Sequence, residues 1–206
     1  MQNERLEEIK RLKALADVGF LYSTNDYDKE RYCELREISL RLLSIESGIS
    51  THTLKENFSV VKDYPTVKVD VRGVVLSADK KILLVKETND GKWSLPGGWA
   101  DIGYSPKEII IKECKEETGL EISPKALLAV FDKRLHLHPP QVEYVYKLVF
   151  YCEVISSDIK KGFDILDVQF FPIDGLPALS ENRILKSQIE LLYGKIMADD
   201  FVTYLD

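Results

Sequence analysis

From residue 4 to about residue 22, Leu6, Ile9, Leu12, Leu15 or Ala16, and Phe20 recur among Glu, Lys and Arg at the three- and four-residue spacing of an amphipathic helix. Gly19 and the Ser23-Thr24-Asn25-Asp26 cluster end that segment. A second helical pattern runs from about Tyr27 to Ser47, with Leu35, Ile38, Leu42, Ile45 and Ile49 as its stripe and Gly48 near its C-cap. Two such helices joined by a short loop predict an antiparallel hairpin. A hairpin of about 50 residues has a thin core, so its stripe needs a further surface, either the rest of the chain or a second subunit. The polar stretch His52 to Pro65 reads as a connector.

Beyond the connector the period changes. Val67, Val69 and Val71 alternate with Lys68, Asp70 and Arg72, and the run continues through Gly73-Val74-Val75-Leu76, which predicts a strand. Ala78 to Lys81 forms its turn, Ile82 to Val85 a more buried strand, and Asn89-Asp90-Gly91 a tight turn before Trp93. Further on, Ala126 to Leu135 and Val142 to Ile155 read as strands joined by a loop at His136 to Pro140. Phe170-Phe171-Pro172 reads as a short edge segment, and Asn182 to Ala198 as a closing amphipathic helix.

Composition narrows the class. The 206 residues are enough for one large domain or for one ordinary domain with a small appendage. Hydrophobic residues make up 45% and charged residues 30%, so the chain can build a real core. A net charge of −6 argues against a surface made for duplex DNA, although a local basic groove is compatible with it. The opening MQNERLEEIKRLKALAD is charged throughout, without a signal-peptide core or a run of about 18 apolar residues, so no membrane role and a cytoplasmic location are expected. Cys33, Cys114 and Cys152 are odd in number and lack paired spacing, so they read as small buried or half-buried hydrophobes rather than disulfide or zinc residues.

The chemistry concentrates in Trp93 to Leu120, WSLPGGWADIGYSPKEIIIKECKEETGL. Ser105 and Glu108 have capping-box spacing, Pro106 suits a first helical position and Gly119 a left-handed stop, which predicts a helix over 106–118. On it Glu113, Glu116 and Glu117 share one arc, beside an apolar arc of Ile110, Ile111, Cys114 and Thr118. Like charges at these spacings repel by a few tenths of a kcal/mol per pair. A hard divalent cation reverses that sign, because it takes carboxylate oxygens and keeps waters for substrate phosphates. The Pro96-Gly97-Gly98 turn leads into the cluster and lets bare backbone approach a metal or phosphate.

These residues resemble the Nudix box: a Gly, five residues, a Glu, seven residues, then Arg-Glu-hydrophobic-any-Glu-Glu-any-Gly-hydrophobic. Registered from Gly98, the spacing is intact through Lys112-Glu113-Cys114-Lys115-Glu116-Glu117-Thr118-Gly119-Leu120. Tyr104 stands where the first Glu is usual and Lys112 where Arg is usual. In the family those two side chains brace the loop on the helix, so the pair reads as a swapped brace. The resemblance, over about Tyr64 to Met197, implies an α/β fold, an α/β/α sandwich around a mixed sheet. A small N-terminal helical hairpin domain precedes it, with boundaries expected at 1–60 and 64–206. Bacterial Nudix proteins with such a helical domain and a Gly97-to-Asp101-like loop are similar in this respect. They imply hydrolysis of a nucleoside diphosphate linked to another group, CDP-choline first and ADP-ribose as the alternative.

The resemblance assigns the metal, Mg²⁺ or Mn²⁺, to Glu113, Glu116, Glu117 and the Gly97 carbonyl, with Glu116 and Glu117 catalytic. Arg72 and Lys133 are the candidate phosphate contacts. A further acid is open among Glu143, Glu153, Asp164 and Asp167. His136 and His138 lie in a loop expected to be exposed, and Trp99 is expected to pack the loop against the sheet rather than stack on a base. A homodimer is expected. Cleavage of single-stranded RNA at the same site and a catalytically silent nucleotide sensor are the remaining alternatives.

Overall fold

The computed structural model describes residues 2–59, 62–156 and 158–206, with Gln2 and Asn3 described by main chain only. It divides into two compact units, Met1–Val67 with Pro140–Tyr144, and Lys68–Pro139 with Val145–Asp206. The expected domain boundary at residue 60 lies outside the described residues.

The first unit holds helices α1 (Gln2–Tyr22), α2 (Asp26–Ser47) and α3 (Thr51–Asn57). Asn25 caps α2 by accepting from the Asp28 amide, and Gly48 ends it in the left-handed region at φ 72°. The third helix occupies what reads in sequence as connector. Ser50 caps it by accepting from the Thr53 amide, and Leu54 is fully buried with Leu6, Leu40, Leu43 and Val142. Val142 reaches this core because Pro140–Tyr144 belongs to the helical unit, where the Tyr144 hydroxyl donates to the Glu7 carbonyl at 3.1 Å.

The stripe on α2 is corrected as well. Arg36, Ser39, Leu40 and Leu43 are the buried residues, whereas Leu35, Leu42 and Ile45 are 37%, 37% and 75% exposed. Arg36 can sit inside because its Nε donates to Asp17 at 3.1 Å and its other end meets the Phe58 and Ser59 carbonyls. A paired guanidinium of this kind is invisible to a count of apolar residues.

In the second unit, strands β1 (Lys68–Val75), β2 (Ile82–Glu87), β3 (Trp93–Ser94) and β4 (Gly97–Trp99) precede helix α4 (Pro106–Thr118). Strands β5 (Ile122–Asp132), β6 (Val145–Val154) and β7 (Ile165–Phe171), helix α5 (Lys186–Met197) and strand β8 (Tyr204–Leu205) follow. A five-stranded mixed sheet has the order β4-β1-β6-β5-β8, with β1 parallel to β6, and an antiparallel sheet has the order β3-β2-β7. Alternation on the strands sorts the core into two layers. Val71, Val75, Leu83, Phe150 and Cys152 pack with Ile109, Ile110 and Cys114 of α4. Val74, Ile82, Leu84 and Val149 pack with Ile189, Leu192 and Ile196 of α5. This is the expected α/β/α sandwich.

Some limits move. Strand β5 begins at Ile122, before Pro124, because β8 flanks it only at Ala129 and Val130 and leaves Pro124 on an open edge that needs no donor. Lys133–Leu135 tightens into a 3-10 turn rather than extending β5. Strand β7 is an edge of its sheet as expected, but it runs over seven residues rather than the short segment at Phe170–Pro172, and α5 starts at Lys186 rather than 182. Cys33 is exposed, while Cys114 and Cys152 are buried. Among the described residues no helix is long and apolar enough to cross a membrane.

Candidate active site

Helix α4 has the limits its caps predict. The Ser105 hydroxyl accepts from the Glu108 amide, the Glu108 carboxylate accepts from the Ser105 amide at 2.7 Å, and Gly119 ends the helix at φ 76°. Ile109, Ile110, Cys114 and Thr118 are buried against the sheet, with Ile109 taking the place expected for Ile111, which is 41% exposed. That anchorage turns the acidic arc toward the Gly97-Gly98 edge of the sheet.

At that edge the Gly97 amide donates to Glu117 Oε2 at 2.9 Å. Gly97 has φ 134°, and a Cβ there would stand 2.1 Å from the Val71 carbonyl oxygen, so only glycine fits. A Cβ on Gly98 would stand 3.0 Å from Glu113 Oε2, which places the second carboxylate against the start of β4, where the expected Pro96-Gly97-Gly98 turn is paired strand from Gly97 onward. Glu117 is 6% exposed, and burial pushes its carboxyl up to about 8 despite the nearby Arg72 and the Gly97 amide. Burial also raises Glu113, against the opposing pull of Lys112. Glu116 is exposed on the next position round the helix.

The C-terminal turn of α4 is held from outside. The Lys160 amide donates to the Thr118 carbonyl at 2.8 Å, and the Gly162 amide to the Glu117 carbonyl at 2.9 Å. At the other end Lys112 donates to Asp101 Oδ2 at 2.9 Å and lies 5.4 Å from the Tyr104 ring centroid. The swapped brace is therefore an ion pair with Asp101, with the Tyr104 ring under the same ammonium.

Arg72 is 6% exposed, not a solvent-facing charge. Its Nε donates to Asp70 at 2.9 Å, one Nη donates to the Leu95 carbonyl at 3.0 Å, and the same group lies 3.9 Å from Glu87. Burial would lower the Arg72 pKa, but Asp70, Glu117 and Glu87 outweigh it and raise it. Lys147, 1% exposed, pairs with the other Asp70 oxygen. Burial would push Asp70 up, but Arg72 and Lys147 together hold it below the usual carboxylate range.

Glu87 of β2 is the acid that the sequence reading missed. It is 8% exposed, 3.0 Å from Arg183 Nε, and its carboxyl is raised chiefly by burial. Its only sequence signal is a Glu that continues the apolar strand Ile82 to Val85. Of the four acids left open, Glu143 lies in the helical unit, and Glu153 pairs with Lys125 at 3.0 Å. Asp167 accepts from the Val168 amide on β7, and Asp164 acts electrostatically on Glu87.

Lys133 is buried with its ammonium on the Asn182 carbonyl. The loop histidines are not exposed as expected. His136 meets Asp206 at 2.9 Å, and His138 is 8% exposed with Nδ1 donating to the Glu181 carbonyl at 2.5 Å. Burial pushes His138 down to about 4. Trp99 is 52% exposed, so the packing role expected for it is not what the fold gives it.

The donors suit a hard divalent cation. Among the described residues no three His, Cys, Asp or Glu side chains already form a cage. Glu113 and Glu117 instead offer carboxylate oxygens beside the Gly97-Gly98 backbone at the start of β4, a donor set that leaves positions for water and phosphate. A bound cation would also offset the burial that raises both carboxyls.

Comparison with known proteins matches residues 3–58 to the UDP-X-like, N-terminal oligomerisation domain and residues 66–192 to the NUDIX domain. The chain is 39% identical, over its whole length and 99% of the relative, to the Bacillus subtilis protein YjhB, provisionally named as an ADP-ribose pyrophosphatase. It is 36% identical to a UDP-X diphosphatase of known crystal structure, covering 100% of this chain and 99% of that one with a TM-score of 0.64. An ADP-ribose pyrophosphatase structure from Streptococcus suis is 35% identical, covering 68% of this chain and 100% of that one with a TM-score of 0.61. None of these three is named for RNA cleavage. A profile match over more than half the chain, with the acidic helix seated on its Gly-Gly turn, sets aside the silent-sensor alternative: the chain belongs to the Nudix hydrolases, enzymes that cleave pyrophosphate linkages.

Proposed function

We propose that this enzyme hydrolyses the pyrophosphate of a nucleoside diphosphate joined to a second group, with ADP-ribose as the first candidate. The observation that carries the reaction is the buried Glu117 carboxylate fixed on the Gly97 amide, with Glu113 at Gly98. The names of the relatives support the substrate order. CDP-choline, first by the sequence, moves behind ADP-ribose and UDP-linked compounds because none of the relatives above is named for it.

Nudix hydrolases generally use divalent metal ions, and Mg²⁺ or Mn²⁺ is the choice that carboxylate donors favour. When bound, such an ion neutralises phosphate charge and lowers the pKa of the attacking water. Glu113, Glu117 and Glu116, with the Gly97 carbonyl, are the residues that would hold it. The Gly97 amide occupies Glu117 Oε2 and leaves the other oxygen to turn outward. Arg72 fixes the Leu95 carbonyl and so the approach to the turn. Water adds to one phosphorus, the bond to the bridging oxygen breaks, and the products are a nucleoside monophosphate and the phosphorylated second group. The proton of the attacking water passes to the exposed Glu116 carboxylate and on to solvent. Arg72 and Lys133 remain the candidate phosphate contacts, Arg72 for its place between Glu87 and Glu117. Asp164 is the candidate assisting acid, because it is exposed two residues beyond Gly162, whose amide meets the Glu117 carbonyl.

The apolar residues Leu35, Leu42 and Ile45 left exposed on α2, within the segment matched to an oligomerisation domain, support a homodimer. The substrate assignment is tested by kcat/KM over ADP-ribose, UDP-sugars, CDP-choline, a dinucleoside polyphosphate and a short RNA, with Mg²⁺, Mn²⁺ or chelator. ADP-ribose is expected to lead, with no turnover in chelator. A lead of about tenfold or more for CDP-choline or RNA would overturn the order.

A further inference from the structure

We infer that Trp99 is the stacking surface for the substrate's nucleobase, an inference that rests on the proposed nucleotide-hydrolase reading. The two tryptophans of the chain differ sharply. Trp93 is 9% exposed and meets Phe171 edge-on at 4.7 Å between centroids, as a core aromatic does. Trp99 is 52% exposed although it lies in regular, paired backbone.

Its position follows from register. Strand β4 is an edge of the five-stranded sheet, so no strand covers its outer side. Trp99 pairs with Asp70 and Gly97 with Arg72, and paired residues on adjacent strands point to one face. Gly98, between them, faces Glu113, so the indole stands on the opposite face, beside the row of Asp70 and Lys147. Two residues along a strand span about 6.6 Å, so the Trp99 backbone lies within one nucleoside unit of Gly97, and a substrate held at Glu117 reaches the indole by passing over the open edge of β4. Lys68 lies over the ring at 5.4 Å from its centroid, adding a cation beside an exposed aromatic face.

Of the parts of a nucleoside diphosphate derivative, the base alone has an aromatic face. Phosphate does not stack on indole, and where a sugar's C–H face or a quaternary ammonium can lie against it, only the base brings a π-face of its own. Stacking also tolerates different bases, because each has a π-face. The inference therefore assigns Trp99 to holding the base and leaves the choice of base to other residues.

Acrylamide quenching reads this ring, because Trp93 is buried. AMP and UMP are expected to shield the exposed indole while ribose 5-phosphate, which lacks a base, does not. Trp99→Ala should lose the shielding and raise KM for ADP-ribose about tenfold with kcat nearly unchanged, and Trp99→Phe should keep KM within about threefold. Equal shielding by AMP and ribose 5-phosphate would overturn the assignment, as would an unaltered KM in Trp99→Ala. Loss of oligomeric mass in Trp99→Ala with nucleotide binding intact would assign the ring to a subunit contact and overturn it too. Should the parent enzyme hydrolyse no nucleotide, the proposed reaction fails while the quenching comparison still decides the base site.

Discussion

Glu117 joins the folding of this chain to its chemistry. With its carboxyl pushed up to about 8 from 4.5, the folded state holds a proton that the unfolded state has released over that interval. Stability therefore falls as pH rises from about 4.5 to 8 in the metal-free protein, and the loss is complete above the folded value. Glu117→Gln stays neutral throughout. In chelator, its melting temperature relative to the parent should rise across that window by an amount worth of the order of 5 kcal/mol, and parallel pH profiles would contradict this. Metal affinity should increase over the same window, because binding displaces the proton. The common arc of Glu113, Glu116 and Glu117 was legible in the sequence because helical spacing and a cap fix it locally, whereas Gly97 came from the resemblance. Glu87, Asp70 and Lys147 were not. A lone charge on a strand reads as solvent-facing, and only the partners brought by other strands make its burial tolerable.

Helix α4 shows how far an element can be read from its own ends. Its capping box and terminal glycine give both limits correctly, whereas α3 hides behind a polar sequence and is revealed only by what Leu54 packs against. Nothing local announces the loop that seats the last turn of α4. A Cβ on Gly162 would stand 2.3 Å from the Glu116 carbonyl oxygen, a backbone atom that cannot step aside. Gly162→Ala should therefore shift the Glu116–Glu117 turn and lower kcat by about ten- to a hundredfold. Phe163→Ala, at a 99% exposed neighbour, should leave kcat unchanged. A Gly162→Ala enzyme with parental kcat would show that the loop is not what positions the acids. The Lys112–Asp101 brace is exposed to solvent, so its loss should change stability little.

Across the whole molecule, sequence periodicity showed the change from helical to alternating pattern and the resemblance implied the sandwich, but neither told which face of α2 stays exposed. That choice depends on Arg36 finding Asp17 and two carbonyls, a tertiary event. Ile45 is 75% exposed, so Ile45→Glu should alter monomer stability by no more than about 0.5 kcal/mol while halving the mass seen in sedimentation if that face joins two subunits. An unchanged mass would remove α2 from the interface. The measurement that tests the central account most directly is ³¹P NMR of ADP-ribose with the enzyme, in Mg²⁺ or Mn²⁺ and in chelator, repeated with Glu117→Gln. The account predicts AMP and ribose 5-phosphate only with the metal, and a rate at least about a hundredfold lower in the variant. Cleavage that is indifferent to chelator or to Glu117→Gln would contradict it.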